Sequence, residues 1–572
     1  MSELSAQQDR TAFETTRERW LRYLGHRGLA PAALLVLAVL FFLPGLTQVP
    51  PLDRDEPRFA QASKQMVETR DFVDIRFQET ARHKKPVGIY WLQSAAVEAS
   101  GLGADAPIWV YRLPSQLGAL LAVLLTYWCA RAFTGPRAAL VAGALVSAAL
   151  ILGVEARLAK TDAMLLASIL AAQGALARIW LDRGSQRTHK ALAVVFWGAL
   201  AASVLIKGPV GPMVVGLTIA LLSVAERSLS WVRGLYPLVG IVGFLVLVLP
   251  WFVAIHLHTD GAFFAESIGQ DLLGKVATGQ ESHGAPPLTH LAASLGTFWP
   301  LPAFAVLALP ALMRLRRLPV VLFTACWVLP TWLVFELTAT KLPHYTLPVL
   351  PGIAILAAVL LGRSEETPPA RVWRLIAAGL LIVPIVGVAA ANVVAAPVLG
   401  VWPSPPAAVI AALALVPGIA AMRAMAQGAA ARALPSTLAA GLLLIVATWG
   451  FTMPALSPIW VSPRLAEAVE RFAPCADPQV ANVGFNEPSY IFLQGTDTWP
   501  TGPQQAAEFL AGADGACRVA VVDHRFEAAF LEALEAAGGG QAKSEVRVTG
   551  LNINGGDEMD IGLYATREAG RE

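Results

Sequence analysis

The chain has 572 residues, of which 55% are hydrophobic and only 15% are charged, and its mean hydropathy is +0.56. Soluble domains carry about 25% charged residues, so this composition indicates an integral membrane protein. The net charge of +2, from 43 basic and 41 acidic residues, excludes a generally cationic nucleic-acid-binding protein. Four cysteines are too few for a disulfide-rich scaffold.

Apolar runs of about 20 residues, enough to cross a hydrocarbon core of about 30 Å, recur along the chain. The sequence predicts thirteen membrane spans, at residues 29–48, 113–133, 138–155, 162–180, 190–206, 209–225, 236–256, 291–312, 318–339, 343–362, 375–398, 404–421 and 433–453. A shorter and less apolar stretch at 86–104 could be a further span or an interfacial helix.

The positions of the basic residues distinguish these two alternatives, because Lys and Arg concentrate in cytoplasmic loops. Basic clusters occur at residues 1–28, 131–137, 178–190, 227–233, 314–317, 363–374 and 423–432. If all of them are cytoplasmic, both ends of segment 86–104 lie on the same side of the membrane. We therefore predict an interfacial helix there, within a long outer loop at 49–112. A second large outer loop is predicted at 257–290, and residues 1–28 form a cytoplasmic N-terminus.

The tail after the last span differs in composition from the transmembrane domain at 29–455. Strand patterns alternate with helical ones, the strands at 479–484, 518–523, 546–552 and 559–565 and the helices at 503–512 and 525–537. This alternation predicts a small mixed α/β domain at 460–572 in the outer, periplasmic space.

Two of the four cysteines, Cys475 and Cys517, lie in this tail, next to two of the predicted strands. An outer compartment is oxidising, and neighbouring strands would bring the two Cα atoms within reach of each other. We therefore predict a Cys475–Cys517 disulfide. Cys129 and Cys326 fall inside predicted spans and are expected to be ordinary buried thiols.

Ionisable residues at the level of a membrane are costly, so their positions are informative. Most of the unusual ones fall on the predicted outer face: Asp53, Asp55, Glu56, Arg58, His83, Lys84, Lys85, Glu155, Arg157, Lys160, Asp162, Lys207, Glu266, Asp271, Lys275, Glu281, His283, Lys341 and His344. Singly, most such residues cap a helix or extend to a lipid headgroup. Together, carboxylates and cations at one face suit an anionic, lipid-linked substrate that carries a phosphate.

Motifs in the first outer loop narrow this interpretation. The loop carries Asp55-Glu56-Pro57-Arg58-Phe59-Ala60, a Met66 to Phe72 segment, and Lys85-Pro86 followed by Tyr90-Trp91. In these motifs it resembles the first periplasmic loop of the bacterial GT-C glycosyltransferases. The resemblance is greatest to the loop of the lipid A aminoarabinose transferase branch. That branch is related to the protein O-mannosyltransferases. The likeness continues at Arg112–Ser115, around Asp162, at Lys207–Gly211 and at Lys341–Pro351, and so covers nearly the whole chain.

The resemblance implies a mainly α, polytopic fold of the GT-C type with a small C-terminal periplasmic α/β domain. It also implies an enzyme of the bacterial inner membrane that moves a sugar from a polyprenyl phosphate to an acceptor, lipid A or another envelope glycolipid, on the periplasmic face. A protein acceptor stays open as an alternative, as does a transporter or flippase for a lipid-linked sugar.

The resemblance also implies roles for individual residues. The expected catalytic residues are Asp55, which would be the base, Glu56 and Asp162. Arg58, Lys85 and Lys207 are expected to hold the donor phosphate. The expected substrate contacts are Tyr90, Glu281, His283, Lys341, His344 and Tyr345. Phe59 departs from the Tyr that is frequent in this branch, and the loop GQESHGAPP departs from a more basic and aromatic one.

No cofactor is predicted with certainty, and a divalent metal is left open. Its candidate ligands are His83, Glu281 and His283. Only Glu281 and His283 lie close together in the sequence, and a zinc site needs at least three protein ligands. The expected partners are the polyprenyl phosphate sugar donor, a lipid or protein acceptor, and membrane lipids. We expect no nucleic acid and a monomer.

Overall fold

The computed structural model describes residues 28–565 except positions 53, 184–188, 273, 275–284, 364–368, 474, 513–516, 540–543 and 545. Within these residues, nine helices are long and apolar enough to cross a membrane. They are α4 (Ile108–Ala130), α7 (Asp162–Leu181), α8 (Lys190–Lys207), α10 (Pro237–His258), α13 (Pro319–Leu337), α14 (Leu350–Arg363, which a 3-10 turn at Pro343–Val349 precedes), α15 (Arg371–Val398), α16 (Pro405–Ala426) and α17 (Ala430–Ile445, which continues to Ala455).

Three further apolar helices are shorter, namely α1 (Leu29–Phe42), α5 (Pro136–Ser147) and α9 (Val210–Glu226). Each of the thirteen predicted spans falls on one of these twelve helices or on the pair α11 (Thr289–Thr297) and α12 (Leu301–Leu315). The protein is therefore a polytopic membrane protein, as expected. The number of segments that actually cross the membrane stays a prediction.

Two of the predicted spans are broken, contrary to expectation. Helices α11 and α12 meet at an angle of 111°, so residues 291–312 do not form one straight helix. The predicted span 138–155 is likewise divided into α5 and a short helix α6 (Leu150–Glu155). The two breaks meet, because the amide of Leu150 donates to the carbonyl of Trp299 at 3.2 Å. Each break thus satisfies a backbone group that the other leaves unpaired.

The long segment between α1 and α4 is largely structured. It contains α2 (Asp55–Thr69), a short hairpin of β1 (Arg76–Phe77) and β2 (Thr80–Ala81), and α3 (Gly88–Ser100). Acidic residues and a proline in its first turn favour the start of α2. Helix α3 has thirteen residues, fewer than the predicted segment 86–104, and too few to span a bilayer.

The tail forms a compact α/β unit around a five-stranded sheet. Its elements are α18 (Val461–Phe472), β3 (Gln479–Val483), α19 (Pro488–Gln494), β4 (Trp499–Pro500), α20 (Pro503–Ala511), β5 (Arg518–Asp523), α21 (His524–Ala536), β6 (Val546–Leu551) and β7 (Glu558–Ala565). The strand order is β4-β3-β5-β7-β6. Strand β3 pairs in parallel with β4 and β5, and β7 pairs antiparallel with β5 and β6. The four predicted strands and two predicted helices are present, whereas α18, α19 and β4 were not predicted.

The structure contains the Cys475–Cys517 disulfide, with the two Cα atoms 6.2 Å apart. The two residues precede β3 and β5, whose parallel register places Gln479 opposite Arg518. Cys129 and Cys326 are buried free thiols, as expected.

The tail and the α2 segment lie on the same side of the helical body and contact each other. Arg54 and Glu487 form an ion pair at 3.2 Å, and the side chain of Gln61 donates to Thr496 at 2.7 Å. The first long loop and the tail are therefore in direct contact, and the side of the membrane on which they lie stays a prediction.

Candidate functional site

Asp55 and Arg58 lie in the first turn of α2. The Arg58 guanidinium lies 4.0 Å from the Asp55 carboxylate, and the two side chains are 30% and 49% exposed. Both charged groups are therefore accessible to a ligand while the backbone of the helix holds them in place.

Positive charges control the ionisation of Asp55. Burial of its surroundings acts to raise the pKa, but Lys160, Arg82 and Arg58 lower it more, so the pKa of Asp55 lies below its ordinary value. The side chain is thus a carboxylate at neutral pH, and it can accept a proton from a nearby group.

A second, buried group of charges lies where α6, α7 and α8 meet. The Asp162 carboxylate accepts a hydrogen bond from Lys207 Nζ at 2.5 Å. Lys160 Nζ lies 3.9 Å from the carboxylate of Glu155, and His344 Nδ1 lies 3.8 Å from the same oxygen. Segments distant in the sequence therefore bring acids and bases together, as the sequence predicted for Asp162, Lys207 and His344.

Tyr345 packs beside this group. Lys207 Nζ lies 5.8 Å from the centre of the Tyr345 ring, and the His344 ring makes an edge contact with it at 5.2 Å. Lys207 is thus held by a carboxylate and an aromatic face. The predicted contact of Lys207 with a donor phosphate would require the pair with Asp162 to open.

Glu56 has a different role from the expected catalytic one. Its fully buried carboxylate accepts two hydrogen bonds from Arg112, at 2.7 and 2.9 Å, and one each from the amides of Leu52 and Ala159, at 2.6 and 2.9 Å. Four donors saturate the two oxygens, so Glu56 is not free to exchange a proton. It instead fixes α2 to α4 and to the turn before α7.

Tyr90 is also placed differently from the expected substrate contact. Its side chain is fully buried, and its ring lies 5.4 Å from that of Phe59. Both belong to an apolar cluster that includes Trp251 and Phe263. A contact between Tyr90 and a substrate would require this cluster to open.

Lys85 and Lys341 lie in non-helical segments, shortly before α3 and before the 3-10 turn at Pro343–Val349. Lys85 is half-buried, and its ammonium donates to the carbonyl of Lys84 at 3.0 Å. The ammonium of Lys341 donates to the carbonyl of Thr338 at 2.7 Å. The phosphate role of Lys85 and the substrate role of Lys341 stay predictions.

The structure gives His83 a carboxylate partner. His83 Nε2 lies 3.0 Å from Asp74, and Nδ1 lies 3.6 Å from Glu266. The hydrogen bond from His83 is the main cause that lowers the pKa of Asp74. Glu281 and His283, the other candidate metal ligands and substrate contacts, lie outside the described residues. Among the residues that are described, no group of three His, Cys, Asp or Glu side chains could hold a metal ion.

Arg82 is the functional candidate that the sequence analysis missed. It is only 8% exposed, its guanidinium lies 5.0 Å from the centre of the Phe59 ring, and its charge acts on Asp55. The run of basic residues from Arg82 to Lys85 was the available signal. Phe59, noted only as a departure from Tyr, supplies the aromatic face against which this arginine packs.

Comparisons with known proteins agree with this architecture. Residues 84–253 match the family of dolichyl-phosphate-mannose-protein mannosyltransferases. The chain is similar to the undecaprenyl phosphate-alpha-4-amino-4-deoxy-L-arabinose arabinosyl transferase of Aeromonas salmonicida. The two are 27% identical over 333 residues, and this match covers 57% of this chain and 59% of that protein. The Pseudomonas aeruginosa protein of the same name is 26% identical over 329 residues, and this match covers 56% of this chain and 58% of that protein. The matches thus span less than two thirds of these relatives.

Solved structures show the same fold over almost the whole chain. ArnT from Cupriavidus metallidurans bound to undecaprenyl phosphate superimposes with a TM-score of 0.72 and 20% identity, over 95% of this chain and 99% of that one. An oligosaccharyltransferase from Archaeoglobus fulgidus superimposes with a TM-score of 0.51 and 11% identity, and the match covers 94% of this chain and 74% of that one.

The chain is therefore a polytopic membrane protein with the GT-C glycosyltransferase fold. In sequence it is similar to the undecaprenyl phosphate-aminoarabinose arabinosyl transferases.

Proposed function

We propose that the protein is a membrane glycosyltransferase that moves a sugar from a polyprenyl phosphate to an acceptor. One observation carries the proposal: the accessible carboxylate of Asp55 lies among the cations Arg58, Arg82 and Lys160. A carboxylate beside clustered cations suits the removal of an acceptor proton next to a departing phosphate. The relative of the same fold from Cupriavidus metallidurans is described as bound to undecaprenyl phosphate, which supports the donor class.

The proposed step is a displacement at the anomeric carbon, with inversion. The acceptor oxygen forms a bond to this carbon, and the bond from the carbon to the phosphate oxygen breaks. Asp55 takes the proton of an acceptor hydroxyl, and the polyprenyl phosphate leaves with the electron pair of the broken bond. Arg58 can hold the phosphate through two N–H groups, and Lys85 adds a point charge. Asp162, fixed by Lys207, lines the site and orients the sugar or the acceptor.

We propose an envelope glycolipid, such as lipid A, as the acceptor, because the arabinosyl transferases match the chain over more than half its length. A protein acceptor is the second candidate, and the match of residues 84–253 to the protein mannosyltransferase family favours it. The N-terminus would lie in the cytoplasm and the tail in the periplasm, and the enzyme would act as a monomer in the inner membrane.

The experiment that tests the activity uses the full-length protein in lipid nanodiscs with a labelled polyprenyl phosphate sugar and an extract that contains both envelope lipids and envelope proteins. Release of free polyprenyl phosphate together with labelled glycolipid supports the proposal. Labelled protein instead of glycolipid supports the second candidate. A transporter or flippase would release no free polyprenyl phosphate, and that result contradicts a glycosyltransferase. Mass spectrometry of glycolipids from a deletion strain would then identify the sugar and the acceptor.

A further inference from the structure

The tail domain contacts one face of α2, and this contact reaches the residue next to Asp55. Arg54 pairs with Glu487 at 3.2 Å. Two turns on, Thr496 Oγ1 accepts from Gln61 at 2.7 Å and donates to Glu68 at 2.8 Å. Positions 54, 61 and 68 are separated by seven residues, or about two helical turns, so they lie on one face of the helix.

Two other parts of α2 contact the helical body. Phe59 and Met66 belong to the apolar cluster that contains Tyr90 and Trp251, and the buried Glu56 binds Arg112. The helix is thus held between the body and the tail, and the accessible side chains of Asp55 and Arg58 are presented from its first turn.

Glu487 is the best-anchored group in the tail contact. It is only 7% exposed. One of its oxygens accepts from Arg54 at 3.2 Å and from Asn552 at 2.8 Å, and the other accepts from Asn554 at 3.0 Å. An isolated surface ion pair contributes little to stability. Here the asparagines of the β6–β7 loop fix the carboxylate in one orientation, so it can in turn fix Arg54.

We propose that Glu487 is a positioning residue, through which the tail domain fixes the N-terminus of α2 and so the place of Asp55. The catalytic consequence rests on the proposed function, whereas the mechanical part does not. A displacement of about 1 Å at a reacting group can lower a rate about 10²-fold, so a tail that has lost this contact would leave an assembled but slow enzyme.

The first test is amide hydrogen exchange of the full-length protein in nanodiscs. We expect Glu487→Ala to accelerate exchange in residues 54–62 and to leave α4 unchanged. Glu467→Ala is the matched control, because Glu467 belongs to an exposed pair with Arg471 on α18 and should change neither region. Arg54→Gln should reproduce the effect from the other side of the contact. Unchanged exchange at residues 54–62 in both Glu487→Ala and Arg54→Gln overturns the proposal.

The second test separates positioning from general destabilisation. Glu487→Ala should lower turnover about 10- to 100-fold in the otherwise unchanged protein, but less than twofold in an Asp55→Asn background, because the base that it positions is already absent. Glu487→Gln, which keeps an oxygen acceptor, should retain most of the turnover. The same loss in both backgrounds overturns a role through Asp55. If Asp55→Asn itself has normal turnover, the proposed function loses its base, and the exchange experiment still decides the mechanical part.

Discussion

Lys207 and Asp162 form a pair with Nζ and Oδ1 2.5 Å apart, and the two side chains are only 14% and 5% exposed. The pair joins the end of α8 to the start of α7. Removal of one partner from a buried ion pair leaves an uncompensated charge, which costs about 3–5 kcal/mol. The pair is therefore a fixed part of the site, and its two members are expected to depend on each other.

We predict that Lys207→Met lowers both the thermal stability and the turnover of the protein, because Asp162 then lacks its counter-ion. Lys207→Met combined with Asp162→Leu should recover much of the stability and none of the turnover. Thermal unfolding and polyprenyl phosphate release measure the two effects. Arg183→Gln, at the more exposed pair with Glu226, is the control. A double variant that is less stable than Lys207→Met would contradict this account.

Asp55→Asn keeps the shape of the side chain and removes its basicity. Because base catalysis contributes about 10²–10⁴-fold, we expect a loss of turnover of that size with normal expression and unfolding temperature. Turnover is measured as released polyprenyl phosphate. If more than half of it is retained, another group is the base.

The pH dependence of turnover should report the cations around Asp55. Their combined effect lowers the pKa of Asp55, so the acid limb of the profile should lie below the ordinary carboxyl range. Arg82→Gln removes one positive charge, which raises the pKa and moves this limb to higher pH. Arg76→Gln, at the nearby pair with Asp74, should leave it in place. A limb that moves to lower pH in Arg82→Gln would refute the assignment of Asp55.

Arg58→Lys and Lys85→Ala test the donor subsite. Arg58 can bind a phosphate through two N–H groups, whereas a lysine supplies only a point charge. Both substitutions should therefore raise the KM for the polyprenyl donor, measured by steady-state kinetics at a saturating acceptor concentration. If the donor KM stays normal and only the acceptor KM rises, the two subsites are interchanged.

Thiol labelling tests the compartment of the tail. In denatured but unreduced protein we expect two reactive cysteines, Cys129 and Cys326, because Cys475 and Cys517 are joined. The bond closes a loop of about 40 residues and should stabilise the tail by about 4 kcal/mol. Four reactive cysteines would mean that the bond does not form in the cell, and this result would count against the placement of the tail in an oxidising compartment.

The positions of the apolar helices could be predicted from the sequence because a span needs only length and hydropathy. The breaks could not, because the hydrogen bond that relates them joins Leu150 to Trp299, residues far apart in the chain. The same limit applies to the tail, where β4 has only two residues and depends on its pairing with β3.

In the candidate site, the sequence predicted that Asp55, Asp162, Lys207 and His344 lie on one side of the membrane. Asp55 belongs to the first outer loop, and the other three lie at the outer ends of predicted spans. The resemblance singled out Asp55 as the base, but Glu56 was also expected to be catalytic, and the sequence could not show that its carboxylate is buried. Adjacent helical residues point about 100° apart, and only the position of Arg112 decides which carboxylate is buried. Arg82 was missed because its relation to Asp55 depends on the fold of the β1–β2 hairpin.

The pair between Arg54 and Glu487 joins residues 433 positions apart, which has a consequence for biosynthesis. At about 5–20 residues per second, roughly 20–90 s separate the synthesis of the two side chains. During this interval α2 lacks its contact with Glu487. The contact can form only after the helical body and the tail have been synthesised and the tail has folded. If Glu487 positions α2 as proposed, a chain that stops after α17 would lack this support of its first-turn aspartate and would consume donor lipid at least about 10- to 100-fold more slowly.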